Sequence, residues 1–315
     1  MKRLLVLAAI AVLAPSSQAA RGGGTPVALV TSETLNQLLA VGLPSGKVVK
    51  RFHVPADPEN VEICGSVAAV VSTRGGAVTL VDAAKLKVRR ILRGFGTPHI
   101  AACSPDGHYV YVTDDARGQL AVIHNRVVRK IFVGQGAHHM AASPDQPRLW
   151  IALGERARSI VVLDTTEAAN PRLIARIAPH GLAHDLAFSP DGRNVWVTYD
   201  DRSEIGVFSA QGRFRHFLPA GSPPQHVAFD PFSHAKHAYV TSGNDGTMRI
   251  VSVRTGRTLR VVRTGYGSFN LGLSGSLIVT SSLYRGTLTE LYDSGHVVFS
   301  KHIAPAARDA AIAVL

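Results

Sequence analysis

Between residues 182 and 208 apolar positions come in three short runs, separated by turn-forming residues. The first run, Leu186-Ala187-Phe188, stops at Ser189-Pro190-Asp191-Gly192. Pro presets φ there, and Gly accepts the left-handed conformation of a tight turn. A β-branched and aromatic run follows, Val195-Trp196-Val197-Thr198, and the chain turns again at Asp200-Asp201-Arg202-Ser203. Ile205 to Phe208 reads as a third strand, and Arg213 to Phe217, with alternating polarity, as a fourth. Four antiparallel strands in about forty residues predict one blade of a β-propeller.

The unit recurs. Its second strand appears as Tyr111-Val112-Thr113, Trp150-Ile151-Ala152, Trp196-Val197-Thr198, Tyr239-Val240-Thr241 and Ile278-Val279-Thr280, with weaker copies at Val30-Thr31 and Val71-Ser72. The last residues of these copies stand at 31, 72, 113, 152, 198, 241 and 280, giving steps of 41, 41, 39, 46, 43 and 39. A period of that length suits a four-stranded blade. Seven copies predict an all-β, seven-bladed β-propeller.

The turn and strand together, Ser104-Pro105-Asp106-Gly107 followed by Tyr111-Val112-Thr113-Asp114, resemble the YVTN-repeat β-propellers. That group is similar to surface-layer repeat proteins and, more distantly, to lactonase-like seven-bladed propellers. The resemblance spans nearly the whole chain after residue 19 and implies the fold. It implies little about activity, because one propeller architecture hosts unrelated chemistries. The copies decay at Ser143-Pro144-Asp145-Gln146, at Asp230-Pro231-Phe232 and at Ser274-Gly275-Ser276.

The two ends of the sequence complete the expected ring. Val27–Val30, Leu38–Val41 and Val48–Val54 supply three strands of a first blade with no inner strand before them. The apolar run Asp309 to Leu315 has no partners after it. The C-terminal strand is therefore expected to complete blade one, removing the open edge of the ring. Residues 1–19 carry a basic Lys2-Arg3, a ten-residue apolar stretch from Leu4 to Leu13, and small residues around Ser17-Gln18-Ala19. This is the pattern of a secretory signal peptide, so residues 20–315 are expected as one exported domain, secreted or periplasmic. No cysteine follows the apolar stretch, and no lipid anchor is expected.

Charge adds one constraint. The net charge of +12 falls to +10 once Lys2 and Arg3 are removed. Twenty of the 34 Lys and Arg residues fall in the fourth-strand segment of a blade. A charged outer edge prevents sheet-to-sheet aggregation, and the same rim would attract an anionic cell-envelope polymer. No nucleic-acid partner is expected, because aromatic-basic stacking platforms are missing from the sequence and the export signal separates the protein from nucleic acid. The two cysteines, Cys64 and Cys103, stand near the ends of neighbouring inner strands. Equivalent positions on successive blades point the same way, so two buried free thiols are expected in place of a bridge.

Candidate chemistry sits at the start of the inner strands. Counting back from the turn serine, one position holds His99, His138 and His184, with Gln225 in the next blade. The following position holds His139, Asp185 and His226, and Arg308 enters from the closing strand. The second turns, which open on the same face, contribute Asp115, Asp201 and Asp245. Polar residues converging on an axial funnel make the default binding site of this architecture. His138 and His184, each with a polar neighbour, are expected to face the funnel, and His99 is expected to staple a loop. Metal ligation is an open reading of the same histidines, although no HxH or HxxxH pair stands on one strand, and a divalent metal is the one cofactor it suggests. No nucleophile elbow, P-loop, dinucleotide fingerprint or zinc-protease helix is present, so no residue is assigned a catalytic role. The leading expectation is a monomeric binding protein whose funnel takes a small-molecule ligand or protein partner. The alternative is a lactonase-like hydrolase or a lyase acting at the funnel with metal assistance.

Overall fold

The computed structural model describes residues 24–154, 158–230 and 236–315. The export-signal reading of residues 1–19 falls outside them. Among the described residues, twenty-eight strands, numbered here in chain order, form seven four-stranded antiparallel sheets. Each sheet is one blade. Their inner strands are β4 (Pro58–Cys64), β8 (Pro98–Cys103), β12 (Met140–Ala142), β16 (Ala183–Phe188), β20 (His226–Phe229), β24 (Gly272–Ser274) and β28 (Ala307–Val314). The closing sheet runs β28, β1 (Pro26–Ser32), β2 (Gln37–Gly42), β3 (Lys47–His53), so the last strand of the chain supplies the inner edge of blade one. Ala28 pairs with Ile312 and Leu29 with Ala311.

The Tyr-Val-Thr pattern has a packing reason. Successive strand residues face opposite sides of their sheet. Tyr111, Trp150, Trp196 and Tyr239 each pack toward the following blade, while Val112 packs back on the preceding one. Both faces of β5 (Val67–Ser72) and its equivalents are therefore buried, so these strands read as nearly continuous apolar runs. The outer strands do the opposite. In β7 (Lys87–Arg93) Lys87, Arg89, Arg90 and Arg93 are all exposed, as an unpaired edge requires.

The serine-led turns are closed by their own side chains. Ser189 Oγ donates to Asp191 Oδ1 at 2.6 Å and accepts from the Asn194 N–H at 3.0 Å. Gly192, at φ +64°, donates its N–H to the Ser189 carbonyl at 2.8 Å, a conformation that glycine adopts at no steric cost.

The strand register corrects the expectation for the cysteines. Cys64 and Cys103 form a disulfide, with Cα atoms 5.3 Å apart, that joins β4 of blade two to β8 of blade three. In blade three Ala101 pairs with Val112, and in blade two Val61 pairs with Val70. Val112 and Val70 are equivalent, because Asp114 and Ser72 open the matching hairpins opposite Gln119 and Ala77. The residue matching Thr113 is thus Val71, not Ser72. Cys103 then matches Ile63, and Cys64 stands one residue further along its strand. A one-residue offset turns a side chain to the other face of its sheet. Cys64 consequently faces blade three and Cys103 faces blade two.

Candidate metal centre at the axial mouth

The inner strands begin at one mouth of the ring, and the same register arranges their first residues in two levels. The outer level carries Glu59, His99, His138, His184, Gln225 and Arg308, and the next carries Asn60, Ile100, His139, Asp185, His226 and Asp309. The recurring threonine of the second strand holds this arrangement in place. Thr113 Oγ1 accepts from the Ile100 N–H at 3.1 Å and donates to the His138 carbonyl at 2.6 Å. Thr198 Oγ1 does the same between the Asp185 N–H and the Gln225 carbonyl, at 3.0 and 3.2 Å. The threonine that marks the repeat is thus the bond between one inner strand and the next.

Four histidines cluster there. His99 and His138 stack with ring centroids 3.7 Å apart and planes 12° apart. His139 lies 5.2 Å from His99, 5.0 Å from His138 and 4.5 Å from His184, centroid to centroid. One ligand nitrogen from each of His99, His138 and His139 falls within 4.8 Å of the other two. A single ion bound at about 2.0–2.1 Å from each nitrogen fits that spacing after small side-chain shifts.

Each ring is held through Nδ1 by a carboxylate. His99 Nδ1 lies 3.4 Å from Glu59, His138 Nδ1 3.2 Å from Asp115, His139 Nδ1 3.0 Å from Asp185 and His184 Nδ1 3.2 Å from Asp200. In His138 and His139, where the contact is a hydrogen bond, that pairing places the proton on Nδ1 and leaves Nε2 as the ligand atom. Burial, reinforced by His138, His184 and Arg308, holds His99 well below the usual imidazole range. Burial and His184 do the same for His139, against the pull of Asp185. Both rings are therefore neutral at pH 7, which is the ligand form.

Asp185 is shared. Its Oδ1 meets His139, and its Oδ2 lies 2.8 Å from His226 Nδ1 and accepts the Val227 N–H at 3.0 Å. Burial alone would raise this carboxyl, but His226 and His139 outweigh it and keep it well below the ordinary carboxylate range. The charge that balances it sits on His226. Burial opposes that charge, and Asp185, Asp309 and Glu62 overcome the burial and raise the ring.

A cavity of about 200 Å³ opens beside the cluster. His99, His139, His184, Asp200, Gln225 and Arg308 are among its walls. The Arg308 guanidinium stands 3.5 Å from Glu33 and 4.9 Å from the centre of the Phe269 ring. Burial pushes Glu33 up to about 7 despite that neighbour.

Eight of the ten sequence-derived candidates meet at this mouth: His99, His138, His139, His184, Asp185, His226, Asp115 and Arg308. His99, expected to staple a loop, stacks inside the cluster. Asp201 and Asp245 instead tie their turns to the loops that precede the inner strands. Asp201 accepts the Leu182 N–H at 3.1 Å, and Asp245 binds Ser222, Thr247 and Arg249. Asp200 and Glu59 were missed as site residues. Asp200 stands next to Asp201 in the same turn, and the strand register alone selects between them. Glu59 lies in blade two, which has no serine-led turn from which to count back.

No protein-family model and no curated protein matches this sequence. Solved structures do match in fold. A functionally unknown protein from Desulfotomaculum acetoxidans is 15% identical over 91% of this chain and 98% of its own, with a TM-score of 0.78. Apo AztD from Citrobacter koseri is 13% identical over 92% of this chain and 98% of its own, at 0.72. Kuenenia stuttgartiensis hydrazine synthase is 19% identical over 82% of this chain and 90% of its own, at 0.70. Likeness at these identities reports the propeller alone.

Proposed function

We propose that this protein is an exported binding propeller that holds a divalent transition-metal ion at its axial mouth. The carrying observation is the convergence of His99, His138 and His139, with His138 and His139 hydrogen-bonded through Nδ1 to Asp115 and Asp185 and His99 Nδ1 3.4 Å from Glu59. Imidazole suits zinc, copper and nickel, and paired carboxylates raise the basicity of the ligating nitrogen. Glu59, Asp115 and Asp200 also give the mouth a negative field that favours a cation over an anion. His184 stands ready as a fourth ligand or as an outer neighbour of a bound water. The amino-terminal export pattern supports binding outside the cytoplasm.

The test is metal stoichiometry. Protein stripped with chelator and reloaded with Co²⁺ should bind one equivalent and show the visible bands of nitrogen-ligated cobalt. His138→Ala and His139→Ala should each remove the bands while the protein still melts cooperatively. Asp185→Asn should weaken binding by about 10–100-fold, the usual effect of removing the partner of a ligating histidine. No binding by the unaltered protein, or unchanged binding by both alanine variants, would overturn the proposal.

A further inference from the structure

A second, larger cavity of about 780 Å³ runs along the ring axis from His139 and His226 toward the face of the serine-led turns, where Pro144 and Pro190 line it. Its walls come from the inner strands, and one level of the register stands out. Six of the seven positions there are Ala102, Ala141, Ala187, Ala228, Ala311 and Leu273, paired in turn with Tyr111, Trp150, Trp196, Tyr239, Leu29 and Ile278. The seventh is Glu62, paired with Ala69. All seven line the cavity.

The other axial polar groups have structural work. Asn60 Oδ1 accepts the Ala101 N–H at 2.8 Å, Asp185 the Val227 N–H and Asp309 the Val61 N–H, both at 3.0 Å. Each ties its own inner strand to the next. Glu62 ties nothing. Among the described residues it makes no ion pair and accepts no N–H or O–H hydrogen bond, and the sulfur of Cys103, held in the disulfide, lies 3.6 Å away. A carboxyl alone in a ring of alanines weakens the fold without bracing it. The level has room for a ligand because the alanines leave it, and 780 Å³ lies within the usual range for small-molecule sites.

Charge selects the ligand. Glu62 faces Asp309 and His226, and His226 is already matched to Asp185. The cavity therefore has an excess of carboxylate over an apolar wall that includes Phe188 and Phe229.

We propose that this cavity is a binding site for a small organic cation, an amine on an apolar body, with Glu62 as its counter-carboxylate. The ammonium sits against Glu62, and the body occupies the space between the alanines and the two phenylalanines. Burial, with Asp309 reinforcing it and His226 opposing it, raises Glu62 to about 8. Binding at neutral pH accordingly transfers the Glu62 proton to solvent, and affinity rises with pH toward that value. His139 and Asp185 of the metal centre line this cavity too, but His138 and Glu62 each belong to one site only, so substitutions at these two residues test the proposals separately.

The experiment is calorimetric titration of the chelator-stripped protein at pH 8 with three probes of one shape: benzylamine, benzyl alcohol and benzoate. Benzylamine should bind at least about tenfold more tightly than benzyl alcohol, and benzoate should bind most weakly, as expected for a partner of a carboxylate on an apolar wall. Glu62→Gln should remove the preference for the amine. His138→Ala, which breaks the proposed metal centre, should leave amine binding unchanged, so the two proposals fail separately. Equal affinity for the three probes, no binding of any, or a Glu62→Gln protein that still prefers benzylamine overturns the proposal. The comparison of probes on the unaltered protein decides it even where the variant does not fold.

Discussion

Thr113 shows how a repeat residue becomes a functional one. Its hydroxyl links β9 (Val110–Asp114) to the His138 carbonyl, and it is fully buried. Thr113→Val should cost about 1–3 kcal/mol through the unpaired carbonyl. It should also weaken Co²⁺ binding. Thr31→Val, whose hydroxyl accepts the Asp309 N–H away from the histidines, should lower melting temperature without touching Co²⁺ affinity. Glu62 makes a prediction with a definite sign. Its carboxyl rises from 4.5 to about 8 on folding, chiefly by burial, so the folded state favours the protonated form. Stability from this group is intact below about 4.5 and is lost as pH climbs toward 8. Glu62→Gln should therefore melt like the unaltered protein near pH 4 and melt higher above pH 8. At about 1.36 kcal/mol per pKa unit the gain is bounded by a few kcal/mol, reduced by water in the cavity. Melting curves across that range check it, and a gain that is constant with pH would contradict the assignment.

At the scale of elements, the disulfide is the main covalent addition to the sheets. It closes a loop of 39 residues between the inner strands of blades two and three. Loop-closure entropy assigns such a bridge about 4 kcal/mol at 25 °C. Thiol titration of denatured protein should find no free thiol before reduction and two after it. Cys103→Ser should lower the melting temperature, and reductant should then have no further effect. Its neighbours compound the loss, because Cys64 packs with Val71, Val78, Ala101 and Val112 at the interface of the two blades.

For the whole molecule, closure is decisive. β28 pairs with β1 along six positions, and Asp309 anchors it to blade two by accepting from Asn60 Nδ2 at 2.8 Å and from the Val61 N–H. Deleting residues 308–315 removes the inner edge of blade one, this anchor and Arg308 together. The truncated protein should lack a cooperative thermal transition, because an unpaired inner edge exposes apolar strands of two blades. A transition within a few degrees of the full chain would show that the ring does not depend on its closing strand. The basic outer strands belong to this scale too. Exposed Arg and Lys on β3, β7 and their counterparts surround the ring with positive charge, while the mouth is negative. A small cation reaching the mouth is thus separated from the rim by a change of sign.

The blade count, the closing strand and the two levels of axial polar residues are local properties of the chain. They follow from period-two alternation, turn residues at a regular spacing, and side chains counted from each turn. The clustering of His99, His138, His139 and His184 was legible only as a shared position along four strands. Which carboxylate faces each ring was not legible, since Asp200 and Asp201 are neighbours in one turn and only the strand register brings the first to His184. The same limit hid the disulfide. Blade two has no serine-led turn, its copy of the marker slipped by one residue, and one residue decides which face of a sheet a side chain occupies. Sequence periodicity thus determined where each residue lies along the axis. Tertiary structure decided which residues face one another across it, because that depends on the register between blades, which is set by packing far apart in the chain.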